Sequence, residues 1–398
     1  MESKTRIKGN VHYVGVNDRN KHRFEAMWPL PYGVSYNSYL IDDEMVALVD
    51  TVDICYFEVY LRKIKQVIGE RPINYLIINH MEPDHSGSIR LIKQHYPEII
   101  IMGNKQTFGM IEGFYGVTGE QYLVKEGDFL ALGHHKLRFY MTPMVHWPET
   151  MMTFDETDGV LFSGDGFGCF GTVDGGFLDT RINVDKYWGE MVRYYSNIVG
   201  KYGSPVQKAL QKLGGLPISA ICSTHGPVWT ENIAKVIGIY DRLSRYDADE
   251  GVVIAYGSMY GNTEQMAEAI AEELSAQGVK NIVMHNVTKS HPSYIIADIF
   301  RYKGLIIGSP TYSNQIFPEV EALLSKILLR EVKGRYLGCF GSFAWAGAAV
   351  KRLAEFAEKS KFELVGDPVE MKQAMKDLTY TQCENLARAM ADRLKKDR

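Results

Sequence analysis

The run Asn74-Tyr75-Leu76-Ile77-Ile78-Asn79 passes without a break into His80-Met81-Glu82-Pro83-Asp84-His85-Ser86-Gly87. An apolar, strand-like stretch therefore ends in four metal-type side chains within six residues. Pro83 is expected to keep this segment out of helix. The alternate spacing of His80, Glu82 and Asp84 then suits an extended turn that points successive side chains into one cavity. Strands that carry such residues at their carboxyl ends are typical of α/β layers, where ligands sit at strand tips.

Three more strand tips repeat the pattern: His146 in MVHWP, Asp165 in FSGDG and His225 in STHGP. With the first cluster they make four imidazoles and three carboxylates. Each alone reads equally well as a hydrogen-bonded structural residue. Four separate Gly- or Pro-bounded loops delivering ligand-type residues is a pattern that packing does not require. His85 follows directly on Asp84, so a one-residue rotation of the loop would turn it away from the others. His12, His22, His95, His134, His135, His285 and His291 lack this context and read as ordinary surface or core residues.

Around these tips the chain up to about Tyr246 reads as short strands broken by polar loops: VHYVGV, SYNSYLIDD, MVALVDTV, NYLIINH, IIIMGN, LRFYMTP, GVLFSGD and ISAICSTHG. Helices are expected over about residues 186–198 and 206–212. The polar stretch RLSRYDADE marks a change of pattern, which places domains at 1–248 and 249–398. Beyond it, GVVIAYG, NIVMHNV, GLIIGS, RYLGCFGS and FELVG alternate with amphipathic helices, one opening at Asn262 and another over about residues 319–330. Five parallel strands so connected predict a doubly wound sheet.

Three loops of that sheet carry ligand chemistry. Ser258-Met259-Tyr260-Gly261-Asn262-Thr263 enters a helix, where backbone N–H groups and hydroxyls can cradle a phosphate at the positive helix end. The loop has no Lys, which excludes a Walker A reading; a plain capped helix is the alternative. Pro310, Thr311, Tyr312 and Asn314 follow the third strand, and Ser342, Phe343, Ala344, Trp345 and Gly347 follow the fourth. Both loops lie at strand carboxyl ends beside the switch point. Tyr312 and Trp345 can flank a flavin ring, and Thr311, Asn314 and backbone amides can bond its edge.

Bulk properties agree. At 398 residues the chain exceeds one ordinary core and suits two domains. Hydrophobic residues at 45% and charged residues at 23% are globular proportions. A formal charge of -4 and a pI near 6.3 give no footprint for nucleic acid or an anionic membrane. MESKTRIKGN lacks the apolar core of a secretory signal, and no run approaches the ~20 apolar residues of a membrane span, so a cytoplasmic location is expected. Cys55, Cys169, Cys222, Cys339 and Cys383 include no CxxC pair, which excludes a disulfide framework, a zinc ribbon and a rubredoxin-type site. An electron-donor module would then be a separate polypeptide.

The order His-x-Glu-x-Asp-His-x-Gly, then His, Asp and His, resembles the metallo-β-lactamase fold in the variant carried by flavodiiron proteins. The SMYG and GS-aromatic-x-W segments resemble that family's flavodoxin domain. The resemblance runs from about Gly9 to Arg393, with one departure at Ala346-Gly347-Ala348, where relatives often have Ser-Gly-Gly. It implies an α/β chain: an N-terminal metallo-β-lactamase-like αββα sandwich, then a C-terminal flavodoxin-like five-stranded parallel sheet. It also implies FMN and two iron ions as cofactors. His80, Glu82 and His146 would hold one iron, Asp84, His85 and His225 the other, and Asp165 would bridge them.

Hydrolases of the lactamase fold usually have His where this chain has Glu82, and they bind zinc. A third carboxylate is a hard anionic donor that favours iron. The expected activity is reduction of dioxygen to water and/or nitric oxide to nitrous oxide, with electrons relayed by FMN from an external donor: rubredoxin, a flavin reductase or a reduced deazaflavin. A head-to-tail homodimer or dimer of dimers is implied, and Phe24, Trp28 and Trp147 are candidates to line a gas pocket. The alternative is a di-zinc hydrolase with an appended flavodoxin module.

Overall fold

In the first half of the chain two twisted sheets face one another across an apolar layer. The computed structural model describes residues 4–397, so Met1, Glu2, Ser3 and Arg398, at the outer bounds of the expected domains, lie outside the described residues. Residues up to Tyr195 together with Tyr202–Ser244 form one compact unit, and Ser196–Lys201 with the residues from Arg245 onward form a second.

One sheet of the first unit has seven strands, in the order Arg6–Lys8, Val11–Tyr13, Tyr39–Ile41, Ala47–Val49, Tyr75–Ile77, Ile100–Gly103 and Gln121–Leu123. The other has five: Phe129–Ala131, Lys136–Met141, Met151–Asp155, Val160–Gly164 and Ala220–Ser223. Tyr39, Ile41, Val49, Ile77 and Met102 of the first sheet pack with Leu137, Phe139, Val160, Phe162 and Cys222 of the second in one buried cluster. Burying these side chains, at roughly 1.5–3 kcal/mol each, is what holds the two layers together. The strand Met151–Asp155 escapes a search for alternation because all five of its residues are buried.

Two expectations need correction here. Pro83 does not exclude helix: it takes the first position of a short helix, Pro83–Ser86, where its missing N–H costs nothing. His80 precedes the helix, Glu82 is its N-cap, and Asp84 and His85 sit on the helical turn. The single helix expected over 186–198 is also divided. Its α-helical part, Asp185–Tyr194, ends where the Tyr195 N–H is shared between the Met191 and Val192 carbonyls, and a π-helical turn, Tyr195–Val199, follows.

The second unit is a parallel sheet in the order Ile282–Asn286, Asp249–Tyr256, Tyr302–Tyr312 and Tyr336–Phe343, with a fifth position beside Tyr336–Phe343. That position is shared by Glu363–Leu364 and Val369–Lys372, both parallel to the same neighbour. The expected strand FELVG therefore breaks after two residues, because Gly366, at φ +69°, and Pro368 interrupt the ladder. Helices Asn262–Ala276, Pro292–Arg301, Pro318–Leu329, Ala349–Ser360 and Asp377–Lys395 complete the unit. Among the described residues no helix is long and apolar enough to cross a membrane.

Asp50, 2% exposed, ties the strand tip at His80 to its neighbour. Its Oδ1 accepts from the Asn79 and His80 N–H groups at 2.8 and 3.3 Å, and its Oδ2 accepts from Asn79 Nδ2 at 3.2 Å. Replacing Asp50 with Ala leaves these buried donors unpaired, at a cost of about 2 kcal/mol or more. The expected result is a fall of about 4–8 °C in the calorimetric transition of the first unit; an unchanged transition would show that the tip is held by other contacts.

Candidate metal centre and flavin cavity

The four strand ends of the first unit converge. His80 lies three residues beyond Tyr75–Ile77, Asp165 directly follows Val160–Gly164, and His225 lies two residues beyond Ala220–Ser223. His146 sits in the loop between Lys136–Met141 and Met151–Asp155. Gly164, at φ +53°, makes the left-handed step that turns Asp165 inward. Asn37 Nδ2 donates to the Ser223 and Gly226 carbonyls, both at 2.8 Å, and so holds the two ends of the His225 tip.

Two groups of potential ligands result: His80, Glu82, His146 and Asp165, and Asp84, His85 and His225, with the donor atoms of each group within 4.8 Å of one another. Asp165 faces both. Its Oδ2 is 3.0 Å from His146 Nε2 and 3.5 Å from His80 Nε2, and its Oδ1 is 3.0 Å from His85 Nε2 and 3.8 Å from His225 Nε2. His85 is turned inward, its Nε2 also 3.3 Å from Asp84 Oδ1. A helical step rotates successive residues by about 100°, where a strand rotates them by about 180°, so neighbours 84 and 85 can share a cavity.

Buried atoms at this centre lack hydrogen-bond partners: His80 Nε2, both Asp84 oxygens, both His85 nitrogens and His225 Nε2. Leaving such groups unsatisfied costs roughly 1–3 kcal/mol each, more for charged groups, and native proteins avoid it. Cations coordinated by these atoms would relieve the cost, so the donor set fits a metal pair. Burial alone would lower the imidazole pKa values, but the facing carboxylates more than offset it. His85 and His146 are each raised to about 9, and His80 well above its ordinary value. Burial likewise opposes ionisation of Glu82 and Asp165, yet the surrounding histidines hold both well below the usual carboxylate range.

Several supporting residues carry no ligand-type signature in the sequence. Glu149, fully buried, accepts from His80 Nδ1 and from the Met81 N–H, both at 2.9 Å. The Ser35 carbonyl accepts from His225 Nδ1 at 2.7 Å. Each bond turns the opposite ring nitrogen, Nε2, toward the centre. Tyr194 lies tilted at 56° to the His225 ring with centroids 5.6 Å apart, and its buried hydroxyl has no hydrogen bond. Glu149 was findable as the carboxylate three residues after His146; Tyr194 lies on the buried face of a helix and gives no such sign. Of the aromatic candidates, Phe24 meets His225 edge-on at 5.3 Å and Trp147 meets His80 edge-on at 5.4 Å. Trp28 is buried, with its Nε1 donating to Glu25 at 2.9 Å.

In the second unit a cavity of about 450 Å³ opens at the strand carboxyl ends. Met259, Tyr260, Asn262, Thr263, Pro310, Thr311, Tyr312, Asn314, Ser342, Phe343, Ala344 and Trp345, all expected at a binding site, line it, joined by Ser313, Ala346 and Gln373. Ser258, Gly261 and Gly347 do not line it. Ser258 Oγ instead accepts from the Gly261 N–H at 3.1 Å, inside the loop. Gly347 backs onto Glu370, whose Oε1 would lie 2.4 Å from any Cβ there. Thr311 Oγ1 accepts from the Ala348 and Ala349 N–H groups at 3.0 and 3.2 Å, and the Thr263 and Ser342 hydroxyls pair at 2.8 Å. These bonds join all three loops into one rim whose polar floor and aromatic walls fit a flavin phosphate and ring.

Comparisons with known proteins follow the same division. Residues 34–226 match the family model described as ODP family beta lactamase, and residues 254–386 match the flavodoxin model. An anaerobic nitric oxide reductase flavorubredoxin of Vibrio vulnificus is 32% identical over 363 residues, covering 90% of this chain and 73% of the relative. The solved rubredoxin oxygen:oxidoreductase of Desulfovibrio gigas is 31% identical, with 97% of each chain covered and a TM-score of 0.93. A flavodiiron protein of Giardia intestinalis is 26% identical, with a TM-score of 0.91 over 98% of this chain and 97% of that one. By its two domains, their order and these likenesses, the chain belongs to the flavodiiron protein family.

Proposed function

We propose that this oxidoreductase reduces a small diatomic gas, dioxygen to water or nitric oxide to nitrous oxide, with electrons supplied through FMN. The observation that carries the reading is the buried set of unpaired ligand atoms at the first unit, in a chain that also has a flavin-shaped cavity. FMN and two iron ions are the cofactors of the family. His80, Glu82 and His146 would hold one iron and Asp84, His85 and His225 the other, with one Asp165 oxygen facing each group. Bound there, the iron pair supplies the gas-binding and redox chemistry, and FMN collects and meters the electrons.

The protein's own contribution is placement. Glu149 and the Ser35 carbonyl hold His80 and His225 with Nε2 inward. Phe24 and Trp147 press apolar edges against the ligand rings and so help keep bulk water out. Two of the named relatives act on nitric oxide and on dioxygen, and the Desulfovibrio gigas protein is named for rubredoxin. A rubredoxin-type donor is therefore the first to supply in a test. Tyr260 and Trp345, 90% and 86% exposed at the flavin rim, support a second copy of the chain covering that rim in a head-to-tail homodimer. Sedimentation at micromolar concentration should give a dimer or its multiple, and a monomer would refute that arrangement.

The reaction is tested by stopped-flow reoxidation of fully reduced, metal-quantified protein with each gas in turn. Fast reoxidation by at least one gas is the expected result, with sustained turnover from the donor lost when FMN is removed. Zinc at two per chain with turnover indifferent to FMN would sink the proposal in favour of a hydrolase.

A pH dependence follows from His85 and His146, each raised to about 9 from 6.5. At neutral pH both are protonated in the metal-free centre, and only the neutral ring can ligate. Loading metal should therefore release protons, and apparent affinity should climb as pH rises toward about 9. Titration calorimetry in buffers of different ionisation enthalpy reads the release directly; loading without it would show that these rings are not ligands.

A further inference from the structure

We propose that His135, Asp155 and Asp158 form a separate metal site in the first unit, one that takes a single divalent cation of intermediate hardness such as Mn²⁺ or Zn²⁺. His135 precedes Lys136–Met141, Asp155 closes Met151–Asp155, and Asp158 lies in the turn before Val160–Gly164. His135 Nδ1 is 2.9 Å from Asp155 Oδ2 and 4.0 Å from Asp158 Oδ2, and one donor atom from each residue falls within 4.8 Å of the others. These spacings bracket the 3.0–3.8 Å between Asp165 and the four histidines of the first centre.

An unsatisfied atom points to the missing ligand. Asp158 Oδ2 is buried with no hydrogen bond, and among the described residues no Lys or Arg forms an ion pair with Asp158. A buried, unpaired carboxylate oxygen is costly. The backbone makes room for it: a Cβ on Gly9 would stand 2.0 Å from this oxygen. Hairpin packing explains the other two residues, since Asp155 pairs with His135 and accepts from the Thr157 N–H at 3.1 Å. It gives no reason for Asp158 to turn inward.

One imidazole and two carboxylates suit a divalent ion of the Mn²⁺ to Zn²⁺ range, and no thiolate is present to favour a softer one. Two carboxylates also match the charge of a dication. His135 is 1% exposed and Asp155 fully buried, whereas the Asp158 side chain is 20% exposed, leaving an open side for water to complete the coordination. Asp158 and Asp165 lie beyond opposite ends of the five-residue strand Val160–Gly164, so the two sites are separated by roughly 17 Å or more. An ion here would clamp two turns of the five-stranded sheet and stabilise the fold by binding only the folded state.

The test uses the full chain with iron and FMN loaded, equilibrated with Mn²⁺ alone. One Mn²⁺ per chain should bind, read as loss of the free-ion EPR signal, and raise the thermal midpoint. Asp158→Asn, in a partly exposed turn, should weaken Mn²⁺ binding by at least about tenfold, the least that losing a ligand's support costs, with iron content unchanged. His135→Gln should do the same. Absence of bound Mn²⁺ in the wild type, or equal binding in both variants, would overturn the proposal and leave the trio as hairpin packing.

Discussion

Three carboxylates and four imidazoles share one water-poor space in the first unit, and their mutual charge is the constraint on which the rest of the structure depends. Without cations His80, His85 and His146 are driven to carry protons beside the carboxylates, which is why their pKa values rise although burial alone would lower them. The sandwich around them is built to supply and brace ligands. Asp50 fixes the His80 strand tip, Asn37 grips both ends of the His225 tip, and Glu149 selects the His80 tautomer.

The second unit solves a different problem with the same device of loops at strand ends. Its cavity is lined by neutral polar groups and aromatic side chains, so the loops must be ordered by one another. Thr311 bonds to the start of Ala349–Ser360, and Thr263 meets Ser342, so phosphate and ring ends of the cavity form a continuous rim. Tyr260, Tyr312 and Trp345 leave exposed aromatic surface at that rim.

Much of this was legible in the sequence because ligand-type residues at strand ends are a local signal. The four strand tips, the loop after Tyr256 and the aromatic-bearing loops could each be read from a few adjacent residues. Features that depend on distant partners were not. The buried strand Met151–Asp155 shows no alternation, and Tyr194 gains meaning only from the ring it meets. The change to a π-helical turn after Tyr194 is not encoded in residue propensity. Ser258 Oγ accepts from the Gly261 N–H inside its own loop, a bond that orders the loop and leaves the hydroxyl proton free to donate. His135 looked ordinary because its carboxylate partners lie about 20 residues away, across a hairpin.

The one-turn helix at Pro83 sets a limit on how this centre can change over time. His80 and Glu82 precede a helical turn that carries Asp84 and His85, so the loop changes backbone conformation within six residues. Inserting or deleting a single residue there would throw one half out of phase whatever the other half did. The centre is therefore open to substitution but closed to changes of length, and relatives that alter its metal or its chemistry must do so by exchanging side chains at constant spacing.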